Sequence, residues 1–447
     1  MNRTAVLLIS FLLLAVTESS GQISVNLNAR NRNTGELVTI NTVARPAGRL
    51  VVLTAPDPET GQASIIGFTD LRKYEFLPGN IESLWQLKLL ESKVYEGLLA
   101  YGYHYDRRYE MEEKMKEFMT SAEQSGSFYI DSYLESRLYG ILRMVYPVRN
   151  TDMRPGILSL KILSDITPDA WVGPDGTLVI TTGMITAVHS EVELMALMAQ
   201  EVAHFALDHH MNNFNNALLN GLEHALGNVI RYSSQQEIQA DKCAVAVLEA
   251  YGEKPAILAS MLRKVIAYGE LMGNYYIVST NGFFPDAISR AATSSDTLLC
   301  FSPEYEKLIA PVISYNAFSA YNQSHYLLCR RLIERNISSG QVSDDDLVLL
   351  SQAMMKLSGY DEEDEKALTV VRLVTRKKDT APPEAFKQEA ILLLRLGRRS
   401  EAETVMDSCE AALVREEQKY RSMPGDWSEM LRYLASEKEW ISKTRTR

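Results

Sequence analysis

Residues 190–210 read SEVELMALMAQEVAHFALDHH and are apolar almost all the way round from 192 to 207. A helix with no polar face has no solvent side, so it must lie inside a domain large enough to wrap it. Ser190, followed three residues later by Glu193, is the capping-box arrangement that satisfies orphan amides where a helix begins. At about 100° per residue, Glu193, Gln200, His204 and Asp208 fall close to one line, with Glu201 beside Gln200. Polar groups are costly to bury without partners. A polar stripe kept on a buried helix therefore marks where chemistry is to be sought.

Within that stripe, Gln200-Glu201-Val202-Ala203-His204 follows the HExxH pattern with glutamine in first place. The pattern works because side chains at i and i+4 leave one helix face and meet on one zinc ion, while the adjacent glutamate reaches the water. Alone, so short a match is more often a core helix whose polar residues pair internally. A second stretch shifts that balance. Residues 233–252, SSQQEIQADKCAVAVLEAYG, read as a helix with a serine cap and a glycine stop. Glu237 and Asp241 are i and i+4 on it, and Ala240, Ala244 and Ala246 let a neighbour approach closely.

Around these two helices the chain changes period several times. Residues 1–22 carry Arg3, an apolar run over 5–16 and a small, polar tail, which predicts a cleaved secretory signal rather than a span of about 20 residues. No cysteine follows the run, and no other stretch predicts a membrane span, so an exported mature chain is expected, periplasmic or secreted. From 23 to about 80 the runs ISVNLNA, LVTINTV, RLVVLT and ASIIGFT predict a small β unit. Residues 81–123 and 129–145 read as helices; Tyr95, Tyr101, Tyr103, Tyr105 and Tyr109 there are expected to pack with their hydroxyls at the rim. Residues 157–185 return to strands, with a hairpin turn at Gly173-Pro174-Asp175-Gly176. This hairpin feeds the helix at Ser190, so a sheet edge able to pair with an extended peptide is expected beside it.

The pair of motifs, Gln200-Glu201-Val202-Ala203-His204 and Glu237-Ile238-Gln239-Ala240-Asp241, resembles the HExxH…ExxAD signature of the zinc metallopeptidases that include HtpX, the CAAX prenyl endopeptidase and the BepA-type proteases. The resemblance spans about 156–290. It implies zinc bound by His204 and Glu237, Glu201 as general base, and Asp241 behind the ligands. Pro285 and Arg290 look like the segment that closes such sites, making Arg290 a catalytic candidate. Two positions depart from the pattern: Gln200 stands where the first histidine ligand belongs, and Phe284 where a histidine usually precedes the proline. An amide oxygen is a poor zinc ligand beside an imidazole. His209, five residues past His204, would point about 140° away on an unbroken helix and could replace Gln200 only if the helix broke. Two readings stand side by side: a metalloendopeptidase with a weakened zinc site, and an inactive pseudo-peptidase that binds or scaffolds extended segments.

After 301 the pattern is helical throughout. Residues 382–413 form two amphipathic helices around Leu396-Gly397-Arg398-Arg399, with Ala390 and Ala402 near their contact, and resemble a tetratricopeptide unit; 326–357 could be an irregular neighbour. BepA-type proteins share such a region, which implies a protein partner there. A net charge of −11 with no Lys/Arg-rich tract lacks the footprint of a nucleic-acid binder. Four cysteines, Cys243, Cys300, Cys329 and Cys409, make neither a disulfide framework nor a CxxC zinc site, and Cys243 is expected to be a small buried apolar residue. The expected plan is α+β: a signal at 1–22, a β-rich unit at 23–80, a zincin-like metallopeptidase domain at 81–300 with its active-site helix beside a small sheet, and a tetratricopeptide-like region at 301–447.

Overall fold

The computed structural model describes residues 23–44, 51–67, 70–77, 79–96, 101–147, 158–211, 213, 232–273, 290 and 300–446. Residues 1–22 with the expected signal, and Phe284 and Pro285, lie outside them. The fold is mixed α+β, in two compact units: 1–269 with 274–302, and 270–273 with 303–447. No helix among the described residues is long and apolar enough to cross a membrane.

The first unit opens with five antiparallel strands, β1 (Ile23–Asn31), β2 (Leu37–Ala44), β3 (Val51–Thr54), β4 (Ile65–Gly67) and β5 (Tyr74–Leu77), in the order β4-β3-β2-β1-β5. Leu27, Ala29, Ile40, Val52 and Ile66 share a core with Leu87 of α1 (Ile81–Glu96). That helix also buries Trp85, whose indole N–H donates to the Val145 carbonyl at 2.6 Å. Val145 ends α3 (Ser132–Val145), which follows α2 (Tyr101–Gln124). Of the five tyrosines singled out above, only the Tyr109 side chain is among those described, and it is exposed.

The sheet beside the site has three strands, β6 (Ser159–Leu163), β7 (Ala170–Val172) and β8 (Thr177–Thr181), in the order β6-β8-β7. β7 and β8 form the antiparallel hairpin, but β6 lies parallel to β8 on its other side. β8 is buried along its whole length, as a central strand covered on both faces must be. It runs into α4 (Thr182–Ala187), capped by the Thr181 hydroxyl, which accepts from Met184 N at 3.0 Å. Gly183 is required there: a Cβ would sit 2.2 Å from the Ile166 carbonyl oxygen and 2.4 Å from its carbon. That close approach seats α4 against the loop before β7 and aims the chain into the next helix.

That helix is α5 (Glu191–Ala206), in which every residue from 193 to 206 is buried. Ser190 accepts from Glu193 N at 3.3 Å, while the Glu193 carboxylate takes the His189 amide at 2.8 Å and the Lys264 ammonium at 2.6 Å. One buried carboxylate thus caps the helix and ties it to α7 (Ala256–Met272). α5 packs against α1, α3, β7 and, most extensively, α6 (Ser234–Ala250), which opens with a full capping box from Ser233 and Gln236. Cys243 is buried on α6, and none of the four cysteines is joined in a disulfide.

The second unit is helical: α8 (Pro303–Asn322), α9 (Tyr326–Ser338), α10 (Asp344–Leu357), α11 (Asp361–Thr375), α12 (Pro383–Arg395), α13 (Arg399–Ser422) and α14 (Ser428–Arg445). Each packs on the next in sequence, and α8 on α10 and α10 on α12 across the stack. Alanines 367, 385, 390, 402 and 412 are buried in its core and allow the helices to approach closely. Gly397, at φ +73°, ends α12 in the left-handed region and reverses the chain into α13.

Candidate functional site

The contact between α5 and α6 carries the polar residues of both motifs. Gln200, Glu201 and His204 on α5 face Glu237 on α6, all of them buried. The Gln200 amide N–H donates to Glu237 Oε2 at 2.8 Å, and His204 Nε2 lies 3.8 Å from Glu237 Oε1. Arg290 reaches the same carboxylate, Nη1 to Oε2 at 2.8 Å, and is itself held by Asp241 through Nε at 2.9 Å and Nη2 at 2.6 Å. Asp241 therefore positions Arg290, and through it Glu237. The six residues singled out by sequence, Gln200, Glu201, His204, Glu237, Asp241 and Arg290, meet in one cluster.

Three atoms in this cluster are buried without a hydrogen-bond partner: Gln200 Oε1, Glu201 Oε2 and His204 Nε2. Buried polar atoms are nearly always satisfied, so each orphan calls for an explanation. All three can act as acceptors, from one and a half turns of one helix, which is a demand for a cation or a proton donor.

The electrostatics follow from burial. Desolvation raises Glu201 well above the ordinary carboxylate value, and the neighbouring Glu237 and Asp169 carboxylates raise it further, against the pull of Arg290. Burial pushes Glu237 up to about 7, against the pull of Arg290. His204 is held well below the usual histidine value by burial and then by His209, His210 and Arg290, so its ring is neutral. Arg290 sits above its ordinary value because Asp241, Glu237 and Glu201 outweigh the cost of burial.

One expectation fails here. The helix does not continue past His204 to carry His209 away; it ends at Leu207, and Asp208 adopts φ +60°. Asparagine and aspartate are among the few side chains that tolerate this region. Arg108 from α2 clamps the Asp208 carboxylate with two nitrogens at 2.6 and 3.3 Å. The reversal brings His209 Nδ1 to 2.9 Å from His204 Nδ1. His209 thus approaches the ring nitrogen opposite the one that faces Glu237, and it does not stand in for Gln200. Tyr232 stacks on the His204 ring, 3.5 Å between centroids and 12° from parallel, with its hydroxyl 2.8 Å from His210 Nε2. Sequence reasoning missed Tyr232, Arg108 and Gln239; of these only Gln239, inside the second motif, left a local trace.

Residues 152–227 match the family model described as peptidase family M48. This supports a metallopeptidase family domain. The M48 match covers β6 to α5 with Gln200, Glu201 and His204, and stops before α6. The family is generally zinc-dependent. No match is found among curated proteins.

The donors of this cluster fit such an ion in part. His204 Nε2 and Glu237 Oε1 are an imidazole nitrogen and a carboxylate oxygen close enough to share one cation, and the orphaned atoms beside them face the same way. Gln200 offers an amide oxygen in place of a third strong donor. Among the described residues, no three His, Cys, Asp or Glu side chains form a set that could hold a metal.

Proposed function

We propose that this chain is an exported metalloendopeptidase of the HtpX/BepA kind, working with a zinc site weakened at its first ligand. The carrying observation is the orphaned His204 Nε2, 3.8 Å from Glu237 Oε1, on the helix that also buries Glu201. His204 and Glu237 would hold the zinc with the Gln200 amide oxygen as a third, feeble donor. When bound, zinc supplies a Lewis acid that polarises water and the scissile carbonyl. Glu201 accepts the proton from the attacking water and returns it to the leaving amine. Burial raises its carboxyl well above the ordinary value, and a positive charge beside it would favour the ionised form that acts as a base. Arg290 holds Glu237 in place through Nη1.

A polypeptide in extended form is the substrate this reading favours. β7 lies at the sheet's edge against α5, and its Asp169, Trp171 and Gly173 positions pair with β8. By antiparallel alternation, Ala170 and Val172 turn their N–H and C=O groups away from β8, but both residues are buried, so an added strand could bond there only by displacing what covers them. The helical second unit, read as tetratricopeptide-like, is the proposed place for a protein partner.

A second reading is favoured by a different observation. Gln200 and Arg290 both donate to Glu237 Oε2, so two protein cations or dipoles already occupy part of the space a metal's charge would serve. On this reading the domain is a pseudo-peptidase that clasps extended segments without cutting them. The deciding experiment compares native protein with Glu201→Gln for hydrolysis of an unfolded protein such as casein, with and without added zinc. Hydrolysis that needs zinc and vanishes in Glu201→Gln supports the peptidase. No hydrolysis at saturating zinc, with casein still bound, leaves the binding module.

A further inference from the structure

The hydrogen bonds behind His204 run in one direction. Gln239, exposed on α6, presents its amide oxygen to His209 Nε2 at 3.0 Å. An amide oxygen only accepts, so that ring nitrogen carries the hydrogen. A neutral imidazole has one N–H, which leaves His209 Nδ1 as an acceptor facing His204 Nδ1 at 2.9 Å. His204 then carries its hydrogen on Nδ1. Its Nε2 is left as a bare lone pair, in agreement with that atom's being buried and without a hydrogen-bond partner. Glu237 Oε1, at 3.8 Å, is beyond hydrogen-bond reach of it.

We propose that Gln239 and His209 are positioning residues that lock His204 in the Nδ1–H tautomer, so that Nε2 is presented towards Glu237 as a lone pair ready for a metal ion. The relay has its own supports. The left-handed Asp208, clamped by Arg108, is what returns His209 to His204. Tyr232, flat against the His204 ring, opposes the ring flip that would exchange its two nitrogens. The other ring nitrogen of a ligating histidine is commonly fixed by a carboxylate, carbonyl or water. Here the partner is a second histidine, and the polarity is set one step further out by a surface amide. The consequence for metal binding rests on the metallopeptidase reading above; the tautomer itself does not.

The test is made on the full chain, labelled with 15N in its histidine rings and freed of metal with a chelator. Long-range proton–nitrogen NMR spectra report which ring nitrogen of His204 is protonated, its signals being assigned by their loss in His204→Gln. Zinc affinity is read in parallel by competition with a chromophoric chelator. The native protein is expected to show His204 as Nδ1–H. Gln239→Glu keeps an acceptor and preserves that pattern. Gln239→Lys offers only donors, so it is expected to invert the relay, move the hydrogen to Nε2 and weaken zinc binding by about tenfold or more. Gln239 is exposed, so neither variant disturbs the core. An Nε2–H tautomer in the native protein, or one that Gln239→Lys leaves unchanged, overturns the relay. The expected tautomers in a native protein that binds no zinc uphold the relay and overturn the metallopeptidase reading instead.

Discussion

Gln200→His is the most informative single change to this protein. The amide nitrogen of Gln200 lies 2.8 Å from Glu237 Oε2, so a ring nitrogen at 200 would reach the same space one turn before His204. Four-ligand zinc sites bind with about 10–16 kcal/mol, roughly 3 kcal/mol for each donor. Replacing a feeble amide by an imidazole should therefore tighten zinc binding by about 100-fold. At equal free zinc, that gain adds up to roughly 2.7 kcal/mol of ligand-linked stability. In a unit of this size it should raise the melting temperature by about 5 °C or more over the native protein. Chelator competition gives the affinity and calorimetry with and without zinc gives the shift. Equal zinc affinity in native and Gln200→His proteins would refute the placing of residue 200 at the ligand position. So would a gain in Gln200→His that survives His204→Ala.

Three further outcomes are expected. Arg290→Leu strips Glu237 and Asp241 of their shared guanidinium and should cost about 3–5 kcal/mol in urea denaturation; a change below 1 kcal/mol would show the pair to be solvated. In the metal-free protein, Glu237 holds its proton up to about pH 7, whereas the unfolded chain releases it near 4.5. Folding then binds a proton over that window, so stability should fall as pH rises from about 4.5 to 7, by up to roughly 3 kcal/mol. The slope should flatten in Glu237→Gln, as read from denaturant midpoints across the window, and a slope of the opposite sign would contradict the burial argument. Gly183→Ala drives a Cβ into the Ile166 backbone and should destabilise the first unit by about 1–3 kcal/mol, measured by its melting temperature.

Several features of the fold could be read from local pattern because their causes are local. The all-round apolar character of 192–207 demanded burial, and every residue of α5 from 193 onward is buried. The capping signals at Ser190 and Ser233 depend on neighbours three residues away, and both serines cap. The hairpin of β7 and β8 depends on a four-residue turn. Pairing between distant segments has no such signal: nothing in the run at 159–163 announces that it lies parallel to β8, because parallel pairing needs a long crossover and a partner chosen by the whole core.

The site divides in the same way. By itself the sequence determined which side chains share a helix face, because a fixed rotation per residue sets that: Gln200 and His204 on one helix, Glu237 and Asp241 on another. It also determined the departure at Gln200, since chemistry at one position needs no fold to be read. Only the tertiary structure decided that Arg290 would bridge Glu237 and Asp241, and that Tyr232 would stack on His204. The end of α5 was decided there too. Helical periodicity sends His209 away, and a left-handed Asp208 held by Arg108, a hundred residues earlier in the chain, brings it back. Local propensities differ by about 1 kcal/mol or less per residue, so a clamped ion pair from a distant helix can overrule them, and such a clamp exists only once the chain has folded.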